Sequence, residues 1–263
     1  MQLASRRQRL PVARTIIWGA VGLAWALALL AAATGYDRWL HHDAVIPGAG
    51  LPGPAAFFLF LATWQVMTAA MMLPSSLPMV GLFAQASRRQ ARPWLALAAF
   101  LAAYFAVWTG FALVALAGDA ALHRLVDRWH WLDHRPWLVA GSVLLLAGAF
   151  QFSPLKERCL DACRTPVNFL WRYYGRGAAA AWSLGLRHGL FCLGCCWALM
   201  LTMFAVGVGS LAWMAALTGV MLIEKTSHGG RRLVPLVGAA LLAWGIVTLL
   251  HPAWLPPSLA APD

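Results

Sequence analysis

The sequence predicts an all-α, polytopic membrane bundle, and three observations carry that prediction. Hydrophobic residues make up 61% of the chain and charged residues only 11%, whereas a soluble protein is about 25% charged. Apolar runs of about 15–25 residues recur along the chain, each able to cross a bilayer as a helix. The cations are also sided. If the runs are crossings, sixteen of the twenty Lys and Arg lie on the N-terminal side of the membrane and four on the other. By the positive-inside rule the N-terminus is cytoplasmic and the C-terminus external, which fits seven crossings; six, if the short sixth run is not a span, would put both termini on one side. One integral membrane domain over 1–263 accounts for this length. The net charge of +11 suggests nucleic acid in a soluble protein. Here loop sidedness accounts for it, and no nucleic-acid partner is expected.

The elements follow in order. Arg6, Arg7, Arg9 and Arg14 precede the run Thr15 to Thr34. Signal peptides share that pattern, but the run exceeds the usual apolar core of about 7–15 residues, so it reads as an uncleaved first span. A loop with His41, His42 and Asp43 leads to the second span, Ala55 to Leu73, which Pro74 to Pro78 should kink or end. Trp64, Met67, Thr68, Met71 and Ser75 share one face of it. The third span is Trp94 to Ala117, Gly118 to Arg135 is polar, and the fourth span is Trp137 to Phe152. A basic stretch precedes the fifth span, Leu186 to Ala205. Gly207 to Ser210 is a turn. The short sixth span, Leu211 to Ile223, ends at Glu224-Lys225, which reads as an interfacial ion pair. Arg231 and Arg232 precede the seventh, Leu233 to Leu250. Trp64, Met67 and Met71 are faintly echoed by Trp197, Met200 and Met203, as in the inverted repeats of transporters.

The chemistry concentrates in the fifth span. His188, Cys192, Cys195, Cys196 and Met203 fall within a stripe of roughly 100° on a helix. Thiolate, imidazole and thioether are soft donors that favour Cu(I) or Zn over hard cations. A single buried Cys is usually a small hydrophobe; three in five residues with a His one turn earlier are not. Cys159 and Cys163, spaced i, i+4 after the fourth span, lie at the same cytoplasmic end. There thiols stay reduced, and metal or redox work is favoured over stable disulfides. Met71 and Met72 lie at similar depth. We expect Cys163 and Cys192 to approach closely enough to share a site.

Four segments carry a resemblance: WQVMTAAMMLPSSLP, QFSPLKERCLDACRTP, LRHGLFCLGCCWALM and the ending MLIEK. They resemble a bacterial family of predicted metal-binding integral membrane proteins of unknown function, over roughly Ala55 to Lys225. The Cys-Leu-Gly-Cys-Cys-Trp block with its upstream Cys-x3-Cys-Arg is the specific part. The resemblance implies a bacterial inner-membrane protein that binds metal, with copper favoured and zinc the alternative. Its matching positions are Met67, Met71, Met72, Cys159, Cys163, His188, Cys192, Cys195 and Cys196.

A second, external constellation is His123, Asp127, His130 and His134, which fall on one face if 118–135 is a continuous helix. Its N and O donors would suit Zn or Cu(II); the plainer reading is an interfacial helix with Trp129 and Trp131 at headgroup level. Two functional classes remain. One is a Cu(I)-handling membrane protein that transports, stores or delivers the ion, with the bilayer, the metal and a client metalloprotein or metal donor as partners. The other is a membrane thiol oxidoreductase or metalloenzyme. Thiol exchange needs an accessible thiolate, which cysteines deep in a span supply poorly. Phosphate loops, nucleophile elbows and acid pairs do not occur in the sequence, which leaves hydrolase chemistry unsupported.

Overall fold

A computed structural model describes residues 2–34, 53–133, 135–206 and 210–251, and these are helical almost throughout, with no strand among them. The helices are α1 (Gln2–Ala33), α2 (Gly53–Ala86), α3 (Pro93–Arg128), α4 (His130–Asp133), α5 (Pro136–Gln151), α6 (Pro154–Arg164), α7 (Pro166–Tyr173), α8 (Ala178–Val206), α9 (Leu211–Thr226) and α10 (Gly230–Leu250). Proline opens α3, α5, α6 and α7. The first turn is where a missing N–H costs nothing, so these prolines punctuate the chain. The loop with His41, His42 and Asp43 lies outside the described residues.

Five helical segments are long and apolar enough to cross a membrane alone: Thr15–Ala33, Pro54–Arg89, Pro93–Val126, Ala178–Met203 and Gly230–Leu250. A sixth arises if α5 and α6, bent by 63° at their junction, form one span. The expected count of seven is therefore lowered. The sixth run became α9, whose 16 residues reach only about 24 Å at 1.5 Å per residue, short of a ~30 Å hydrocarbon core.

The prolines of α2 do not end it. Pro74 and Pro78 lie inside a 34-residue helix. Pro74 lacks the N–H that would bond the Ala70 carbonyl, and Trp25 Nε1 of α1 donates to that oxygen instead, at 3.2 Å. A neighbouring helix thus satisfies the group the proline frees, which is how such residues are tolerated in membranes.

The α8 helix is central, packing on α3, α5, α6 and α9, while α5 pairs with α10 and α1 with α2. Small residues set the closest approaches. Gly185 of α8 lies against the Phe100 carbonyl of α3. Gly141 and Gly148 of α5 face Leu249 and Leu242 of α10. The interior is aromatic and sulfur-rich, with Trp64, Phe83, Phe100, Tyr104 and Trp108 buried beside Met67, Met71, Met72, Met79, Met200, Met203, Met214 and Met221. Leu23, Leu30, Phe58, Val114 and Leu236 face outward, as a lipid-exposed surface requires.

Candidate metal centre

His188, Cys192, Cys195 and Cys196 are all buried on α8, because i, i+3 and i+4 positions share a face. Three neighbouring helices bring polar atoms to that face. From α3, the Tyr104 hydroxyl lies 3.2 Å from Cys192 Sγ, and Ser76 Oγ of α2 donates to the same hydroxyl at 3.1 Å. From α2, Met72 Sδ accepts from Cys196 Sγ at 3.8 Å. From α9, Lys225 Nζ stands 3.2 Å from Cys192 Sγ, 3.8 Å from Cys196 Sγ and 3.2 Å from Ser75 Oγ. Cys195 Sγ and Cys196 Sγ donate to the Cys192 carbonyl at 3.0 and 2.8 Å.

The expected Glu224–Lys225 pair does not form. Consecutive helical residues point about 100° apart. Glu224 turns to α6, where its Oε2 accepts from Lys156 Nζ at 2.7 Å, and Lys156 also donates to the Cys195 carbonyl at 3.1 Å. Lys225 turns to the thiols instead. Lys156, Glu224 and Lys225 are 1%, 1% and 5% exposed. Sequence reasoning passed over Lys156 and read Lys225 only as a partner of Glu224, although each lies in a segment that carried the resemblance.

Helix α6 brings the remaining cysteines. Ser153 Oγ caps it by accepting from the Lys156 amide at 3.1 Å. Its last residue, Arg164, donates to the Glu224 and Ser227 carbonyls at 2.6 and 3.2 Å, closing the C-terminal end of α9. Asp161 pairs with Arg231 at 2.6 Å. Cys159 Sγ packs over Gly194, where a methyl group would stand 2.6 Å from the sulfur. Cys163, one turn further along α6, is partly buried against the same core. All five cysteines are free.

The other predicted donors divide. His188 is caged by rings, stacked on Phe100 and Tyr104 with centroids 5.8 and 5.6 Å away and edge-on to Phe169. Its buried Nε2 has no hydrogen-bond partner. Met67 and Met71 are buried in the core of α2; the methionine that touches a thiol is Met72. Among the described residues, no three His, Cys, Asp or Glu side chains already converge to hold an ion. The thiols instead turn back to the Cys192 carbonyl. The donor set fits a soft ion all the same: two thiols and a thioether lie together in the buried core, and an orphaned imidazole nitrogen lies on the same helix face.

The external stripe is not one helix. The α3 helix ends at Arg128, the backbone breaks at Trp129 (φ −120°, ψ 82°), and α4 is a separate short turn. The spacing that aligned His123 with His130 and His134 assumed continuity, and the break removes that alignment. His123 Nδ1 lies 3.0 Å from the Asp119 carbonyl. The side chains of Asp127 and His130, and all of His134, lie outside the described residues. Trp129 and Trp131 are exposed, and Arg135 stacks on Trp131.

Fold and site together define a multi-pass helical membrane protein built around a buried cluster of soft donors. The chain belongs to the PpoB2 copper chaperone family, whose model matches residues 61–248, and its function is therefore related to copper. That segment contains every cluster residue from Met67 to Lys225. No curated protein and no solved structure matches the chain.

Proposed function

We propose that the protein is a bacterial inner-membrane copper chaperone that holds Cu(I) on Cys192 and Cys196, assisted by Met72, and passes it to a client metalloprotein. The observation that carries this reading is the meeting, in the buried core, of Cys196 with Met72 of α2 and of both Cys192 and Cys196 with Lys225 of α9. Buried sulfur excludes water and hard ligands, and Cu(I) prefers thiolate and thioether to carboxylate. Cys195 on α8 and Cys159 and Cys163 on α6 add further thiols beside the first two. A copper ion can move between neighbouring thiolates by forming one bond before breaking another, so a sulfur ladder suits transfer. His188 Nε2 is a further candidate donor. In the proposed topology the N-terminus and the cluster lie at the cytoplasmic side, from the distribution of Lys and Arg. Storage and delivery fit the clustering of all five thiols at one end better than passage across the membrane, which needs sites spread along a path.

The test is copper binding by the purified protein in detergent under anaerobic reductant. Competition with a chromophoric Cu(I) chelator and elemental analysis report affinity and content. The wild type is expected to retain copper through the competition. Cys192→Ser and Cys196→Ser are expected to lose it, and Cys195→Ser to lower content more than Met203→Leu, because a thiolate carries the charge that stabilises a buried cation. Protein that binds no copper and forms a mixed disulfide would replace this reading with a thiol oxidoreductase.

A further inference from the structure

We infer that Lys225 is the selectivity residue of the cluster, a built-in counter-cation that matches the site to a monovalent metal held by two thiolates. The inference rests on the proposed Cu(I) site and concerns how that site chooses its ion.

The argument is one of charge. Besides the thiols, Tyr104 and His188, three ionisable groups are buried here: Lys156, Glu224 and Lys225. Glu224 is committed to Lys156 at 2.7 Å, and that pair is neutral. Lys225 is then left with a positive charge and no carboxylate. Its ammonium meets Ser75 Oγ, Cys192 Sγ and Cys196 Sγ. Buried charges persist only where they are compensated, and for Lys225 the groups able to carry the compensating charge are those two sulfurs.

Metal binding requires deprotonated thiols. A monovalent ion on two thiolates forms a unit of charge −1, which the Lys225 ammonium neutralises while donating to the sulfurs from outside the coordination sphere. A divalent ion on the same two thiolates forms a neutral unit and leaves Lys225 uncompensated in the core. A divalent ion would need a third thiolate. The next thiol on α8, Cys195, is turned to the Cys192 carbonyl and is not one of the two sulfurs that the Lys225 ammonium meets. The ammonium does not obstruct loading, because 3.2 Å from Cys192 Sγ is an ordinary distance for a donor to a metal-bound sulfur. Groups that hydrogen-bond metal ligands typically alter affinity about 10–100-fold when replaced.

The experiment uses full-length protein in detergent, with Cu(I), Ag(I), Zn(II) and Cd(II) each titrated against a competing chelator. Sulfur-to-metal charge-transfer absorbance serves as the second readout. Lys225→Met is expected to weaken Cu(I) about 10–100-fold while Zn(II) affinity holds or rises. Lys225→Arg, which keeps the charge, is expected to restore most of the Cu(I) preference. Equal losses for Cu(I) and Zn(II) in folded Lys225→Met protein would mean a merely structural lysine and overturn the inference. So would unchanged Cu(I) affinity. Should Lys225→Met not yield folded protein, the wild type decides: Ag(I) but not Cd(II) is expected to develop the thiolate band, and a full Cd(II) band would overturn the inference. Copper binding that survives both Cys192→Ser and Cys196→Ser would instead sink the proposed site.

Discussion

The Lys156–Glu224 pair allows the sharpest test of how this bundle tolerates charge. The side chains are 1% and 2% exposed and meet at 2.7 Å. Deleting one partner of a buried pair costs about 3–5 kcal/mol, because the survivor stays buried without compensation, while replacing both with apolar groups is often neutral or favourable. The two single deletions are not equivalent. Lys156→Met leaves Glu224 close to Lys225. Glu224→Gln leaves Lys156 and Lys225 as two buried cations with no carboxylate between them, and Lys156 keeps only the Cys195 carbonyl at 3.1 Å. Glu224→Gln should therefore be the more damaging. At roughly 2–4 °C per kcal/mol for a chain of this size, each single change should lower Tm by roughly 6–20 °C. The double variant Lys156→Met/Glu224→Leu should recover most of the loss. Melting in detergent can be followed by tryptophan fluorescence, for which the 15 Trp residues give ample signal. A loss under about 1 kcal/mol for either single change is what an exposed pair would show, and would refute the reasoning. A double variant no better than the worse single would refute it equally.

Two further outcomes follow from close helix approaches. A methyl at Gly185 would meet the Phe100 carbonyl and stand 2.9 Å from Ala103 Cβ. Gly185→Ala should therefore part α3 from α8 and cost about 1–3 kcal/mol, read as a lowered Tm, while Gly110→Ala, whose methyl meets nothing within 4 Å, should be neutral or slightly stabilising. A methyl at Gly194 would stand 2.6 Å from Cys159 Sγ, so Gly194→Ala should lift α6, speed alkylation of Cys159 and weaken Cu(I) in chelator competition; unchanged alkylation would show that α6 is held elsewhere.

Much of the bundle is legible in the sequence because membrane helices announce themselves by length and apolarity, and because proline marks the starts of α3, α5, α6 and α7. The cysteine face is legible for the same local reason: periodicity within one helix is enough to align Cys192, Cys195 and Cys196. What escaped depends on partners far along the chain. That α2 continues past Pro74 is supported by Trp25, 45 residues before Ala70. That Glu224 abandons its neighbour depends on Lys156, 68 residues away. Periodicity says that Glu224 and Lys225 face different ways, but not what awaits them. The break at Trp129 carries no Pro or Gly to signal it, so the external histidines seemed to continue a helix that had already ended.

These long-range partners converge on one structural reason for the site's position. An apolar bundle has no place for three buried charges and a row of thiols along a lipid-facing helix. α9 is shorter than a hydrocarbon core, and its charged end is buried in protein, where α6 lies against it. α6 in turn is pinned by its Ser153 cap, by Arg164 on the last carbonyls of α9 and by the Asp161–Arg231 pair. The bend between α5 and α6 sets α6 across that end rather than alongside it. The amphipathic α6 thus supplies Lys156 to neutralise Glu224, and Cys159 and Cys163 to extend the thiols of α8. The short helix and the bent one are two halves of one arrangement: α9 delivers charge into the core, and α6 compensates all of it except Lys225, which is left facing sulfur.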